Sequence, residues 1–239
     1  MVTGAADLVP CHLWQNISMS INVIFCLWNS DAVEKVKENI LPLEQRKKWD
    51  VQRWAIYVSE RNKEKLPIYL YGQSMGAAAV LMASGYRLPS EVKGLVADCG
   101  FQSMERQMRD MADNWFHLHY IPLLLKEMDC LCHFVAGFRM KDADTTEAMK
   151  RNTRPVLFFH GEKDTYVYPN NSFQNYMLCK APKELVIVQG ARHLCSAYAD
   201  PELYQRTVME FLRNMMAVIL KNNVTVFNRQ KAITNDNNP

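Results

Sequence analysis

The chain of 239 residues is 49% hydrophobic, enough for a sizeable core and in keeping with one large domain. Its 28 Lys and Arg against 25 Asp and Glu leave a formal charge of +3, too small for a nucleic-acid or anionic-membrane footprint. The seven cysteines are odd in number and scattered, with Cys26, Cys99 and Cys179 inside apolar runs, which reads as small buried hydrophobes in a reducing, cytoplasmic setting.

The opening "MVTGAADLVPCHLW" has no basic segment followed by an apolar one, so no secretory signal is expected. The run "INVIFCLW" (21–28) is far shorter than the ~20 residues a bilayer span needs and reads as a strand. After Asn29-Ser30 comes a helical "DAVEKVKENILPL", and residues 1–48 together form an atypical N-terminal segment. From Trp49 to Arg61 the apolar positions Val51, Trp54, Ala55 and Val58 make an amphipathic stripe, so a helix is expected there, opening a core that extends to residue 220.

Four short apolar runs follow: "IYLYG" (68–72), "GLVADCG" (94–100), "PVLFFHG" (155–161) and "ELVIVQG" (184–190). None alternates polar with apolar, as expected of parallel strands covered on both faces. "AAAVLMASG" and "NNSFQNYMLCKAP" are helical connections, and Asp200 and Pro201 open a final helix with Tyr204, Val208, Phe211, Leu212 and Met215 on one face. Strand alternating with helix gives an α/β class with a doubly wound, mostly parallel sheet. The tail, 221–239, is polar and expected to be disordered.

Residues 102–154 are too many for a simple crossover. Met104, Met108, Met111 and Trp115 share a helical face, and "IPLLL" and "CLCHFVAGF" add apolar surface. This face either packs on the domain or forms a small helical cap over an apolar pocket. Cys130, Cys132 and His133 lie close in sequence, but no second ligand pair follows at metal spacing, so no metal is expected.

The stretch "YGQSMGA" carries the chemistry. A strand that ends in Gly-X-Ser-X-Gly and runs straight into a helix holds its serine in a tight turn, and Gly72 and Gly76 are small because strand and helix approach there. Ser74 is the expected nucleophile, and the Met75 backbone N–H, at a helix N-terminus, is an expected oxyanion donor. Serine needs a base oriented by an acid. Asp164 stands just past the third of the four runs and His193 just past the fourth, at the sheet edge where open α/β sheets bind ligands. The other histidines fit less well: His117 and His119 lie in the cap-like segment, His12 and His133 follow no recognisable strand, and His160 sits within a strand end.

With these residues in place, the chain from about Asp50 to Met215 resembles the α/β-hydrolase superfamily, nearest its bacterial serine aminopeptidase-like or prolyl-oligopeptidase-like branch. The matching pieces are "YGQSMGAAAV", "GLVADCGFQS", "RPVLFFHGEKDTYVYP" and "APKELVIVQGARHLCSAYADPELY". The resemblance implies Ser74 as nucleophile, Asp164 as acid and His193 as base, with no cofactor. It also implies a small-molecule ester or amide substrate. The family has several strands before the elbow and a His-Gly loop that gives a second oxyanion donor. Here His160-Gly161 belongs to the acid strand, and the second donor is not identifiable. Either 1–48 replaces the usual N-terminal half, with "INVIFCLW" as the strand beside "IYLYG" and Trp28, Asn29 or Ser30 near the oxyanion, or that half is missing and the central strand has an open edge. The second is the expectation. The expected function is hydrolysis of a small ester through an acyl-enzyme on Ser74; the alternative is a hydrolase-fold chain impaired by loss of its oxyanion half.

Overall fold

The computed structural model describes residues 22–26, 43–116, 122–136, 139–215 and 217. Five strands, β1 (Asn22–Cys26), β2 (Ile68–Gln73), β3 (Val92–Asp98), β4 (Val156–Gly161) and β5 (Lys183–Val188), form one sheet in the order β1-β2-β3-β4-β5. Every neighbouring pair is parallel. All four strands expected after residue 60 are present, shifted by one or two residues.

Two-sided burial explains why these strands read as unbroken apolar runs. Ile68, Leu70, Leu95, Val156 and Phe158 face one core with Val51 and Ala55 of α1 (Leu43–Arg61) and the small residues of α2 (Met75–Ser84). Tyr69, Tyr71, Val96, Leu157 and Phe159 face the other, against Tyr204, Val208, Phe211 and Leu212 of the final helix, 201–215. Helices thus cover both faces, and the fold is α/β with a doubly wound parallel sheet. β5 departs from the expectation: as an edge strand it is only half-buried, and Ile187 is exposed.

Three further expectations are corrected. The first helix begins at Leu43, so the limit set at residues 48 and 49 falls inside it; an apolar stripe marks only the part of a helix that packs. Within that stripe Trp54 is not core: it is exposed and sits edge-on to Tyr57 at a centroid distance of 5.4 Å. The edge of β2 is not open, because β1 runs along it with Cys26 opposite Gly72. Residues 1–21, the stretch from Leu27 through Pro42 and the tail 221–239 lie outside the described residues, as do His12, His117, His119, Trp28, Asn29 and Ser30.

Between β3 and β4 lies the helical insertion: α3 (Met104–Phe116), α4 (Pro122–Leu131), a π-helical turn (Cys132–Ala136), a 3-10 turn (Met140–Asp142) and α5 (Thr146–Arg151). Its two ends meet at a Ser103–Asp144 bridge, with Met104 N–H donating to Ala143 O and Thr145 N–H to Gln102 O, both at 2.9 Å. Met104 packs against Met75, Phe101 and Val167, whereas Met108 and Met111 are half-buried. Leu131, Phe134 and Val135 stand in solvent, so this end of the insertion does not pack on the domain. Cys130 and His133 are exposed too and Cys132 is half-buried, so Cys130 is not one of the small buried hydrophobes. Cys99 and Cys179 are buried as expected.

Candidate active site

Ser74 joins β2 to α2 and has φ 51 and ψ −117, a left-handed backbone that a non-glycine residue adopts only under strain, at a cost on the order of 1–3 kcal/mol. Its N–H donates to Asp98 O at 2.8 Å, and its carbonyl accepts from Ala78 N–H at 3.1 Å, which ties the turn to β3 on one side and to the helix on the other. Met75 opens α2 at the positive end of the helix dipole. Leu194, with φ 60, and Cys99, with φ 48, are likewise in the left-handed region, so three of the four such non-glycine residues described flank the loops that carry the site. Burial pushes the Cys99 thiol well above its ordinary range, and neighbouring Asp98 adds to this.

The loops after β4 and β5 are locked together. Lys163 N–H donates to Ala191 O at 2.8 Å and Glu162 N–H to Val188 O at 2.9 Å. A Cβ on Gly161 would stand 2.5 Å from the same Ala191 carbonyl, so glycine is needed for this close approach. The result is a continuous line of three side chains: Ser74 Oγ lies 2.9 Å from His193 Nε2, and His193 Nδ1 lies 2.7 Å from Asp164 Oδ2. The carboxylate only accepts, so Nδ1 carries the imidazole proton and Nε2 is the acceptor for the serine hydroxyl.

Asp164 is fully enclosed as a side chain. Its Oδ1 accepts from the Tyr166 and Val167 N–H groups, each at 2.9 Å. Burial alone would raise its pKa, but the hydrogen bonds from His160 and His193, the charge of His193 and the Val167 N–H outweigh it and hold the carboxyl at about 2. The Tyr166 ring lies over the His193 ring at a centroid distance of 4.8 Å. Asp98 at the end of β3 is fully buried and accepts from Ser196 Oγ, three residues past His193, at 2.9 Å, Tyr204 Oη at 3.2 Å and Gln73 Nε2 at 3.4 Å. Burial raises its pKa despite those donors.

Gly72, Ser74, Met75, Gly76, Asp164 and His193 therefore converge at the carboxyl ends of β2, β4 and β5. Cys99 Sγ, an Asp164 oxygen and a His193 nitrogen lie within 4.8 Å of one another, yet the last two already bond each other at 2.7 Å. Sequence reasoning missed His160, set aside as part of a strand, and Tyr166. The available signals were the four-residue spacing from His160 to Asp164, which folds one back on the other across a tight turn, and an aromatic two residues past the acid.

The sequence profile of the prolyl oligopeptidase family matches residues 50–218, most of the chain. The chain belongs to the prolyl oligopeptidase family. This family member is 26% identical over 166 residues to the uncharacterized protein YqkD of Bacillus subtilis (strain 168), covering 70% of this chain and 54% of that one. It thus spans about half the length of that relative. Among solved structures it resembles the Pyrococcus furiosus esterase Pf2001, with TM-score 0.53 and 20% identity over 69% of this chain and 60% of the other. It also resembles the Pyrococcus horikoshii acylaminoacyl peptidase, with TM-score 0.55 and 15% identity over 78% and 30% of the respective chains. These likenesses establish the α/β-hydrolase fold. Among the described residues, no helix of this family member is long and apolar enough to cross a membrane.

Proposed function

We propose that the protein is a serine hydrolase that cleaves a small ester through an acyl-enzyme on Ser74. The observation that carries this reading is the unbroken chain from Ser74 Oγ to His193 Nε2, 2.9 Å, and from His193 Nδ1 to Asp164 Oδ2, 2.7 Å. His193 takes the serine proton as Oγ attacks the carbonyl, and then returns it to the leaving alcohol. Asp164 holds the Nδ1–H tautomer and offsets the imidazolium charge. Water, activated by the same imidazole, releases the acid and restores Ser74.

The Met75 N–H, at the start of α2, is the assigned oxyanion donor. Met75, Phe101, Val167 and Met104 form an apolar cluster next to the nucleophile, which favours an acyl group with an apolar chain. The nearby groove of about 460 Å³ along α3 is lined by Glu105, Arg106, Arg109 and Asp110 and is polar, so it is not assigned to the acyl group. Amides are the second substrate class, in keeping with a family described by peptide cleavage.

The test is reaction of the purified chain with a fluorophosphonate probe and mass mapping of the modified peptide. Labelling at Ser74 that is lost in Ser74→Ala is expected. Absence of labelling in a chain shown to be folded by cooperative melting overturns the reading.

A further inference from the structure

His160, at the end of β4, is fully buried, and every polar atom of its ring is engaged. Nε2 lies 2.7 Å from the Val167 carbonyl oxygen and 3.3 Å from Asp164 Oδ2. Nδ1 lies 2.6 Å from Ser172 Oγ, itself buried at the start of α6 (Asn170–Leu178). A carbonyl oxygen can only accept, so Nε2 carries a proton and shares it between Val167 O and Asp164 Oδ2. Among the described residues the Ser172 hydroxyl proton has no acceptor other than His160 Nδ1, so a ring protonated at both nitrogens would leave that buried hydroxyl unsatisfied. The ring is therefore neutral, with its tautomer fixed from both ends.

This geometry makes one imidazole the clamp of the acid. Asp164 Oδ1 is held by the N–H groups of Tyr166 and Val167, and those peptides belong to the turn whose Val167 carbonyl is held by His160. Asp164 Oδ2 receives His193 Nδ1–H and the shared His160 Nε2–H. Without the His160 donor, the Val167 carbonyl loses its partner in a dry setting, the turn tilts, and Oδ2 no longer points at His193. The charged or titratable groups around the ring are Asp164, with His193 beyond it, and Asp98 on the neighbouring strand end.

We propose that His160 is a positioning residue for the acid: a neutral, Nε2-protonated imidazole that supplies the fourth hydrogen bond to Asp164 and fixes the 164–167 turn so that Asp164 can orient His193. The inference rests on the triad reading, but its readouts separate from it.

The experiment measures the rate of fluorophosphonate inactivation, resolved into the limiting rate and the probe's half-saturation concentration, for the wild type, His160→Leu, His160→Gln and Ser172→Ala. Melting curves establish folding. His160→Leu, which has no donor, should lose about 10–100-fold in limiting rate at unchanged half-saturation, the scale seen when a partner that orients a functional side chain is removed. His160→Gln, which keeps an N–H near the Nε2 position, should recover most of that loss. Ser172→Ala, a mild change that strips Nδ1 of its donor and leaves the ring held from the Nε2 side alone, should lose about 3–10-fold, a barrier increase of about 1 kcal/mol, and it decides the matter if His160→Leu does not fold. A nitrogen-15 spectrum of histidine-labelled protein should show His160 protonated at Nε2 alone.

A normal rate in folded His160→Leu, a wild-type rate in Ser172→Ala, or a proton on Nδ1 would overturn the proposal. If the wild type itself is unlabelled, the nucleophile reading fails. The His160 tautomer, and the presence of the His193 Nδ1–H resonance in His160→Gln but not in His160→Leu, still decide the positioning role.

Discussion

A Cβ placed on Gly72 would stand 2.3 Å from the carbonyl oxygen of Gly76 and 2.7 Å from Ala77 N, so strand and helix meet across the elbow at a distance only hydrogen allows. The obstructing atoms are backbone, and they cannot turn aside as a side chain would. Gly72→Ala is expected to cost about 1–3 kcal/mol or more by overpacking and to slow fluorophosphonate labelling, because relief requires moving Ser74. Gly190→Ala is the control: Gly190 has φ +70 but nothing within 4 Å of its missing Cβ. It should cost only about 1–2 kcal/mol of backbone strain and leave labelling intact. Urea midpoints and labelling rates for the two variants check both statements.

Asp164 has a predictable pH signature. Asp164 sits at about 2 in the folded chain against an ordinary 3.8, so between those values the unfolded chain binds the extra proton. Its stabilisation is complete above about pH 4 and lost as the pH falls through about 2; it amounts to about 2 kcal/mol. Asp98 acts in the opposite sense, because burial raises its pKa and stability falls as pH rises through its folded value. Urea midpoints measured between pH 6 and pH 2.5 should fall with acid in the wild type. They should fall less steeply in Asp164→Asn, where only the opposing contribution of Asp98 remains among the two.

The three side chains that the structure brings together, Ser74, Asp164 and His193, were legible in the sequence because each obeys a local rule. Ser74 needs glycines at fixed offsets, and Asp164 and His193 each follow a strand whose apolar run marks its end. The strand Asn22–Cys26 was legible too, and its place beside "IYLYG" was one of two readings, the less favoured one. Strand pairing is a long-range property, so nothing within "INVIFCLW" could decide between them. His160 and Tyr166 escaped for a related reason. A histidine in an apolar run reads as strand, and its contact with Asp164 exists only because the turn after β4 folds back. The exposure of Leu131, Phe134 and Val135 was likewise hidden, since apolar residues at helical spacing look the same whether or not a partner element reaches them.

Ser196 joins the base loop to the buried carboxylate of Asp98, and its removal should be felt twice. Ser196→Ala leaves Asp98 with Tyr204 and the long Gln73 bond, and loss of a donor to a buried charge costs about 1–3 kcal/mol. The loss should shrink as the pH is lowered and Asp98 takes up a proton, because the missing bond matters most to the charged form. Following urea midpoints of the variant and the wild type from pH 8 down through the acid range tests this. A difference that grows toward acid, or that does not shrink anywhere before the fold is lost, would show that Asp98 is not the group being served.

Tyr166 touches His193 without being part of the core. Its ring covers one face of His193 at 4.8 Å while remaining 39% exposed, and its backbone N–H, which donates to Asp164, survives any change of side chain. Replacement by alanine therefore leaves the Tyr166 N–H bond to Asp164 in place and removes the ring that limits tilting of the imidazole. A ring pair of this kind is worth about 0.5–1.5 kcal/mol, so Tyr166→Ala should slow fluorophosphonate labelling by up to about tenfold. The urea midpoint should fall by no more than that same pair contribution, since the residue lies at the surface. Tyr166→Phe keeps the ring and should label at the wild-type rate. If phenylalanine is as slow as alanine, the hydroxyl rather than the ring is what His193 depends on, and the stacking account is wrong.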